Sequence, residues 1–206
     1  MLETPSIRRY SLVCRPHNGR IEMSSDNPSG ADNQQETAEL SVELDPMWIV
    51  GFVDGEGCFS VSVHRNAFMH RHRGWQIQPV FHVYQHRIHR HVLDSLRSYF
   101  ELGTIRAKGP RSDVLTYSVS SLSGLEAVIV PFFEAHELLV KAADFASFAS
   151  IVRAMRNREH LTARGFERIV RLAFSMNANG KQRSRSLDEV LAGSSETARQ
   201  AHHQDW

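Results

Sequence analysis

The 206-residue chain predicts an α+β fold, with helices laid over one face of a four-stranded antiparallel sheet. Two observations carry this. Four segments alternate apolar and polar residues with a period of two, and the stretches before, between and after them are apolar at helical spacing. A third is the bareness of one sheet face: its apolar side needs a cover, while its other side is polar throughout. The element order reads α-β-β-α-β-β-α-α-α.

Residues 1–43 predict a disordered N-terminal extension, because "EMSSDNPSGADNQQETAEL" (Glu22 to Leu40) has too few large apolar groups to offset chain entropy. The first twenty residues carry Arg8, Arg9 and Arg15 without an apolar core, so no secretory signal is expected. Structure is expected over 44–177. Asp45 suits an N-cap and Pro46 a first helical position, so "DPMWIVGFVDG" begins a helix. It is nearly all apolar, which predicts burial on every side. Gly51 in its middle costs about 1 kcal/mol relative to alanine, and close approach of another backbone, such as a second copy of the same helix, would compensate.

Gly55 and Gly57 break that helix, and "CFSVSVHR" then alternates Phe59, Val61 and Val63 with Ser60, Ser62 and His64. "WQIQPVFHVYQ" sets Ile77, Phe81 and Val83 against Gln76, Gln78 and His82, and its Pro79 predicts an edge strand or a bulge. Arg90 to Phe100 has helical spacing. A hairpin follows, with Thr104, Arg106 and Lys108 on one side and Thr116, Ser118 and Ser120 returning. Helices are expected over Ser123 to Phe133, Lys141 to Met155 and Thr162 to Met176, the last capped by Thr162 with a stripe of Phe166, Ile169, Val170 and Ala173. Residues 178–206 read as a mostly irregular tail with one brief turn around Leu187 to Leu191.

Charge is uneven. Residues 1–46 hold four Lys/Arg against eight Asp/Glu, whereas residues 47–177 hold sixteen against eleven. His64 to His91 contains five arginines, seven histidines and no acid. Together with the polar sheet face of Ser60, Ser62, His64, Gln76, Gln78, His82, Arg106, Lys108, Thr116 and Ser118, this predicts a surface for DNA phosphates and base edges. A solvated basic hairpin is the bland alternative. Two cysteines far apart, Cys14 and Cys58, exclude a disulfide framework and a four-thiolate zinc site. The histidines His82, His86, His89 and His91 have arginines between them, which disfavours a bound zinc. No apolar run suggests a membrane span.

Asp54 and Glu56 stand where the apolar helix ends. A carboxylate there opposes the helix dipole, so a cation is the natural compensation, and carbonyls such as that of Gly55 can add an oxygen ligand. One carboxylate and a carbonyl make a weak site for Mg²⁺, which binds through few carboxylates, several waters and substrate phosphates. Two such helices packed side by side would bring two Glu56 side chains together across a twofold axis. The alternative is that both acids only terminate a helix.

The stretch "IVGFVDGEG" (Ile49 to Gly57), extended as "WIVGFVDGEGCFSV", resembles the signature of the LAGLIDADG homing endonucleases. The similarity continues through "QIQPVFHVYQ", "LGTI", "PFFEAH", "KAADF" and "HLTARGFERIVRLAFSMN", from about Asp45 to Asn177, with one signature in the chain. The resemblance implies a saddle-shaped monomer whose sheet lies in the DNA major groove. It implies a homodimer joined by the signature helices, here through Val50, Gly51 and Asp54. It further implies Mg²⁺-dependent hydrolysis of both strands of a long pseudo-palindromic target, as in the mobility of an intron or intein. Glu56 falls on the metal-binding acid, Asp54 on the more structural one, and Gln85 on a glutamine that orients water and phosphate. The basic residue that assists the scissile phosphate falls nearest Lys141, although counting without gaps puts Leu139 there. A non-catalytic DNA regulator or an RNA splicing helper on the same scaffold stays open. So does location: the cytoplasm of a bacterium or archaeon, or a mitochondrion or chloroplast.

Overall fold

The computed structural model describes residues 44–68, 71–176 and 185–192, with the side chains of Arg71 and Arg73 excepted. The extension expected over 1–43 and most of the tail expected over 178–206 lie outside the described residues.

Helix α1 spans Pro46–Glu56, with the Asp45 carboxylate accepting from the N–H groups of Met47 at 2.7 Å and Trp48 at 3.2 Å. Burial on every side, expected from its composition, is not what the fold provides. Only Ile49, Val50 and Val53 are buried; Met47 is 62% and Trp48 43% exposed. An apolar helix at the rim of a sheet has one stripe to give to its own core. The rest of its surface faces outward.

Strand β1 (Gly57–Arg65) follows without a linker, then β2 (Trp75–His86), helix α2 (Arg90–Phe100), β3 (Thr104–Ala107) and β4 (Val114–Val119). The strands form one antiparallel sheet in the order β1-β2-β4-β3. Strand β2 is therefore internal, yet Pro79 is accommodated. Pairing of β2 with β4 covers only Phe81 to His86, so Pro79, opposite Val61 of β1, lies on an overhang with no β4 partner.

The helix expected over Ser123 to Phe133 is a longer composite run. It starts as α3 (Leu122–Gly124), widens to π-type bonding over Leu125–Ile129, and ends as α4 (Val130–Ala135). Pro131 has no N–H for the carbonyl four residues back and its ring would crowd that carbonyl; widening the turn before it relieves both. Helices α5 (Ala142–Arg156) and α6 (Ala163–Ser175) agree with expectation to within a residue at each end, and α6 is capped by the Thr162 hydroxyl, which accepts from Gly165 N–H at 3.0 Å. A short helix α7 (187–192) matches the brief turn read in the tail, and its Val190 is buried.

The helices cover the odd-numbered face of β1 and β2. Phe59 is its centre, with the rings of Phe81, Phe133, Phe145 and Phe148 at 5.2 to 5.3 Å. At the other edge, Tyr117 is fully buried and donates to Leu102 O at 2.9 Å. Gly103 lies against its ring with a φ of +90°, where a Cβ would stand 2.5 Å from Tyr117 Cε2.

Candidate active site and nucleic-acid interface

The chain passes from α1 into β1 through Gly57, where an added Cβ would stand 2.6 Å from Val53 Cγ1 and 2.7 Å from Val53 O. Only glycine permits so abrupt a change, and it leaves the two preceding acids pointing different ways. Asp54 turns inward: its carboxylate accepts from the N–H of Leu139 at 2.7 Å and the N–H of Lys141 at 3.0 Å. Burial works to raise the Asp54 pKa, but the N–H groups of Leu139, Lys141 and Val140 and the Lys141 ammonium outweigh it and hold the carboxyl below its ordinary value. Glu56 turns outward. It is exposed and has no hydrogen-bond or ion-pair partner among the described residues.

The Lys141 ammonium donates to the backbone O of Asp54, one of the last carbonyls of α1. Leu139 reaches Asp54 only through its backbone, and its side chain is 89% exposed; Lys141 is the cation the fold delivers to the end of α1. Cys58, just inside β1, is half-buried, and burial raises its thiol pKa, with Lys141 opposing and Asp144 reinforcing the shift. Gln85 reaches the same end of the sheet, since Gly57 pairs with Val83 and β2 runs on beyond it; its Oε1 accepts from the N–H of His86 at 2.8 Å.

Two residues expected at an interface between copies are turned elsewhere. Val50 is buried in the chain's own core and the Asp54 carboxylate is bound to the 139–141 loop. The outward face of α1 is instead Met47, Trp48, Gly51, Phe52 and Gly55, with the rings of Trp48 and Phe52 stacked at 4.9 Å. Gly51 and Gly55 have nothing within 4 Å of where a Cβ would stand. Among the described residues of the chain, no backbone makes the close approach that Gly51 predicted.

The sheet face away from the helices holds Ser60, Ser62, His64, Gln76, Gln78, His82, Thr116 and Ser118, with exposed Arg106 and Lys108 at its β3 edge. Register lines them up in rows: His64 with Gln76, Ser62 with Gln78, and His82 with Ser118 and Thr104. Among the described residues this face has no carboxylate. The His82 ring Nδ1 lies 3.1 Å from Ser118 Oγ, and burial lowers the His82 pKa, so the ring is neutral at pH 7. Sequence reasoning passed over Cys58, Val80 and Tyr84, which share the face by parity, as does Thr104. Tyr84 is the most consequential, stacking with His82 at 5.9 Å and lying 5.0 Å beneath the Lys108 ammonium. Its position in the alternation was the available signal; its apolar ring masked it.

Among the described residues no three His, Cys, Asp or Glu side chains are grouped to hold a metal within one chain. The histidines after β2 act locally, His86 Nδ1 accepting from Ile88 N–H at 3.3 Å. At the end of α1 the described residues offer a cation one free carboxylate, Glu56. That donor set fits a hard divalent ion completed by waters and phosphate oxygens, and it does not fit zinc.

The model of the LAGLIDADG endonuclease family matches residues 49–152, half of the chain. The chain belongs to the LAGLIDADG endonuclease family. It is 33% identical over 142 residues to probable intron-encoded endonuclease 3 of Neurospora crassa, covering 68% of this chain and 26% of that protein. It thus spans about a quarter of that relative's length. The crystal structure of the homing endonuclease I-TnaI is 38% identical with a TM-score of 0.65, over 73% of this chain and 98% of that one. I-SmaMI, bound to an uncleaved DNA target in the presence of calcium ions, is 34% identical with a TM-score of 0.65, over 73% of this chain and 49% of that one. The matched residues take in α1 from Ile49 onward and the start of β1, and with them the inward Asp54 and the outward Glu56.

Proposed function

We propose that this LAGLIDADG protein is a site-specific double-stranded DNA endonuclease that works as a homodimer with Mg²⁺. The observation that carries the reading is the end of α1: the free carboxylate of Glu56, the Lys141 ammonium held on the Asp54 carbonyl, and an exposed glycine-bearing helix face. Glu56 and a carbonyl such as that of Gly55 would hold the ion. Lys141 meets the scissile phosphate, and Gln85 orients water and phosphate. A bound divalent ion would supply Lewis-acid activation of water and charge neutralisation at the leaving oxygen.

A second copy packed on Met47, Trp48, Gly51, Phe52 and Gly55 would cover the exposed apolar groups and bring the two Glu56 side chains together. The likeness to the full length of I-TnaI and to half of I-SmaMI supports two copies acting as one unit. Twofold symmetry then implies a long pseudo-palindromic target read by two polar sheet faces. The Neurospora relative's name supports intron homing as the setting.

The test is cleavage of plasmid DNA carrying the uninterrupted host sequence that flanks the gene. Linear product is expected with Mg²⁺ and none with EDTA. Glu56→Gln is expected to keep binding and lose at least about a hundredfold in cleavage rate. Equal behaviour of the two proteins, in preparations that bind DNA, would instead favour a binding-only member such as a DNA regulator or an RNA splicing helper.

A further inference from the structure

At the far end of the sheet, after β1, Asn66 closes the connection to β2. Its N–H donates to Gly74 O at 2.7 Å, and its side chain makes two further bonds. Oδ1 accepts from the N–H of Phe68 at 3.0 Å, and Nδ2 donates to Gln76 Oε1 at 2.8 Å. These bonds have a forced polarity. A backbone N–H can only donate, so the Asn66 oxygen must face Phe68. The amide NH₂ of Asn66 must then face Gln76, and because it too can only donate, Gln76 must turn its oxygen toward it. The Gln76 NH₂ is left with no acceptor among the described residues. It stands on the polar face, half-buried, opposite His64 in the register.

A free glutamine presents a donor and an acceptor together and pairs bidentately with adenine in the major groove. Gln76, with one of the two lone pairs of its oxygen engaged by Asn66 and its NH₂ free, is biased toward donating. A donor matches guanine, whose N7 and O6 are both acceptors, and opposes cytosine, whose exposed N4 is itself a donor. We propose that Asn66 is a positioning residue that biases Gln76 toward donating, selecting guanine over cytosine at one base position in each half of the target. This rests on the DNA-binding reading above and adds the chemical identity of what one side chain reads.

The polarity argument supplies an inverting test. Asn66→Asp replaces the NH₂ with a second oxygen. One carboxylate oxygen still accepts from Phe68 N–H, and the other accepts from the Gln76 NH₂, which turns the Gln76 oxygen toward the groove. The preferred base then changes from an acceptor edge to a donor edge, cytosine or adenine. The added charge lowers affinity for every sequence alike and does not move the preference.

Targets would be selected from a randomised duplex library by wild type, Gln76→Ala, Asn66→Asp and Asn66→Ala, each checked by thermal melting, and the selected pools sequenced. Gln76→Ala is expected to erase a preference of about tenfold at one position per half-site, which locates the base read. Asn66→Asp should exchange guanine for cytosine or adenine at that position, and Asn66→Ala should broaden it toward adenine. Retention of guanine by both Asn66 variants, or a Gln76→Ala protein with an unaltered profile, overturns the inference. A wild-type protein that enriches no sequence removes the DNA reading itself, a different failure from a selective protein whose preference does not invert. Should Asn66→Asp fail to fold, the Asn66→Ala profile decides.

Discussion

The inward and outward sides of the α1–β1 junction use the same chemistry in opposite ways. Asp54 faces its own chain and is saturated by two backbone N–H groups; Glu56, two residues on, faces solvent and is bound to nothing among the described residues. The contrast runs the length of the sheet. On the covered side Phe59 touches four aromatic rings, while on the open side the hydroxyls of Ser60 and Ser62 donate to strand carbonyls at 3.3 and 3.4 Å and Ser62 also lies 3.5 Å from His64 Nδ1. One side determines whether the chain folds, and the other what a folded chain can meet. Substitutions should sort by side, and the sharpest tests set neighbours on one strand against each other.

The largest effect on stability is expected at Phe59. Phe59→Ala removes a fully enclosed ring and should cost about 3–5 kcal/mol in urea unfolding, since the surrounding helices cannot close the cavity. Ser62→Ala, three positions along the same strand on the open face, should change stability by less than about 0.5 kcal/mol. Comparable losses at both sites would mean that the open face is packed against something in the free protein, and the division would fail.

Next in size is Asp54→Asn. The amide keeps one acceptor but sets an NH₂ against a backbone N–H, so one of the Leu139 and Lys141 bonds is lost, at about 1–3 kcal/mol. The pH dependence identifies the cause. The folded carboxyl has a pKa below its ordinary value of 3.8, so its contribution is fully present above that value and disappears as pH falls through the folded pKa. Wild type should therefore lose stability below about pH 4 with a steeper slope than Asp54→Asn, read from urea midpoints across acid pH. Parallel slopes would show that the inward acid is not the group holding the 139–141 loop.

Much of the frame was legible before the structure. The period-two segments gave all four strands, and Asp45, Pro46 and Thr162 marked two helix starts because capping is a local event. What escaped was what depends on distant chain. Asp54 meets Leu139 and Lys141 across more than 80 residues, which no local pattern encodes, so Lys141 could only be placed by counting, and which stripe of the apolar α1 its own core takes, Val50 included, was not legible. The overhang that admits Pro79 depends on where β4 ends, a property of the pairing rather than of β2. Tyr84 is different: parity puts it beside His82, and a list of the face's hydrogen-bonding residues leaves an aromatic ring out.

The smallest effect falls on the boundary between the two sides, at His82. Its ring points to the open face yet is buried enough that its pKa lies below the ordinary 6.5, and its Nδ1 meets Ser118 Oγ. The folded chain thus prefers the neutral ring. Its contribution is complete above 6.5 and falls away as pH drops through the lower folded value, because the unfolded chain binds the proton more readily. Between pH 7 and 5, urea midpoints of wild type should decline more than those of His82→Gln, whose amide can still bond Ser118 but does not titrate. A ring pKa at or above 6.5, read by NMR titration of the free protein, would place His82 wholly with the open face. A depressed one means that an inward-side property, exclusion of water, reaches through to a side chain poised to meet DNA. At that position a single substitution is expected to register in both folding and recognition.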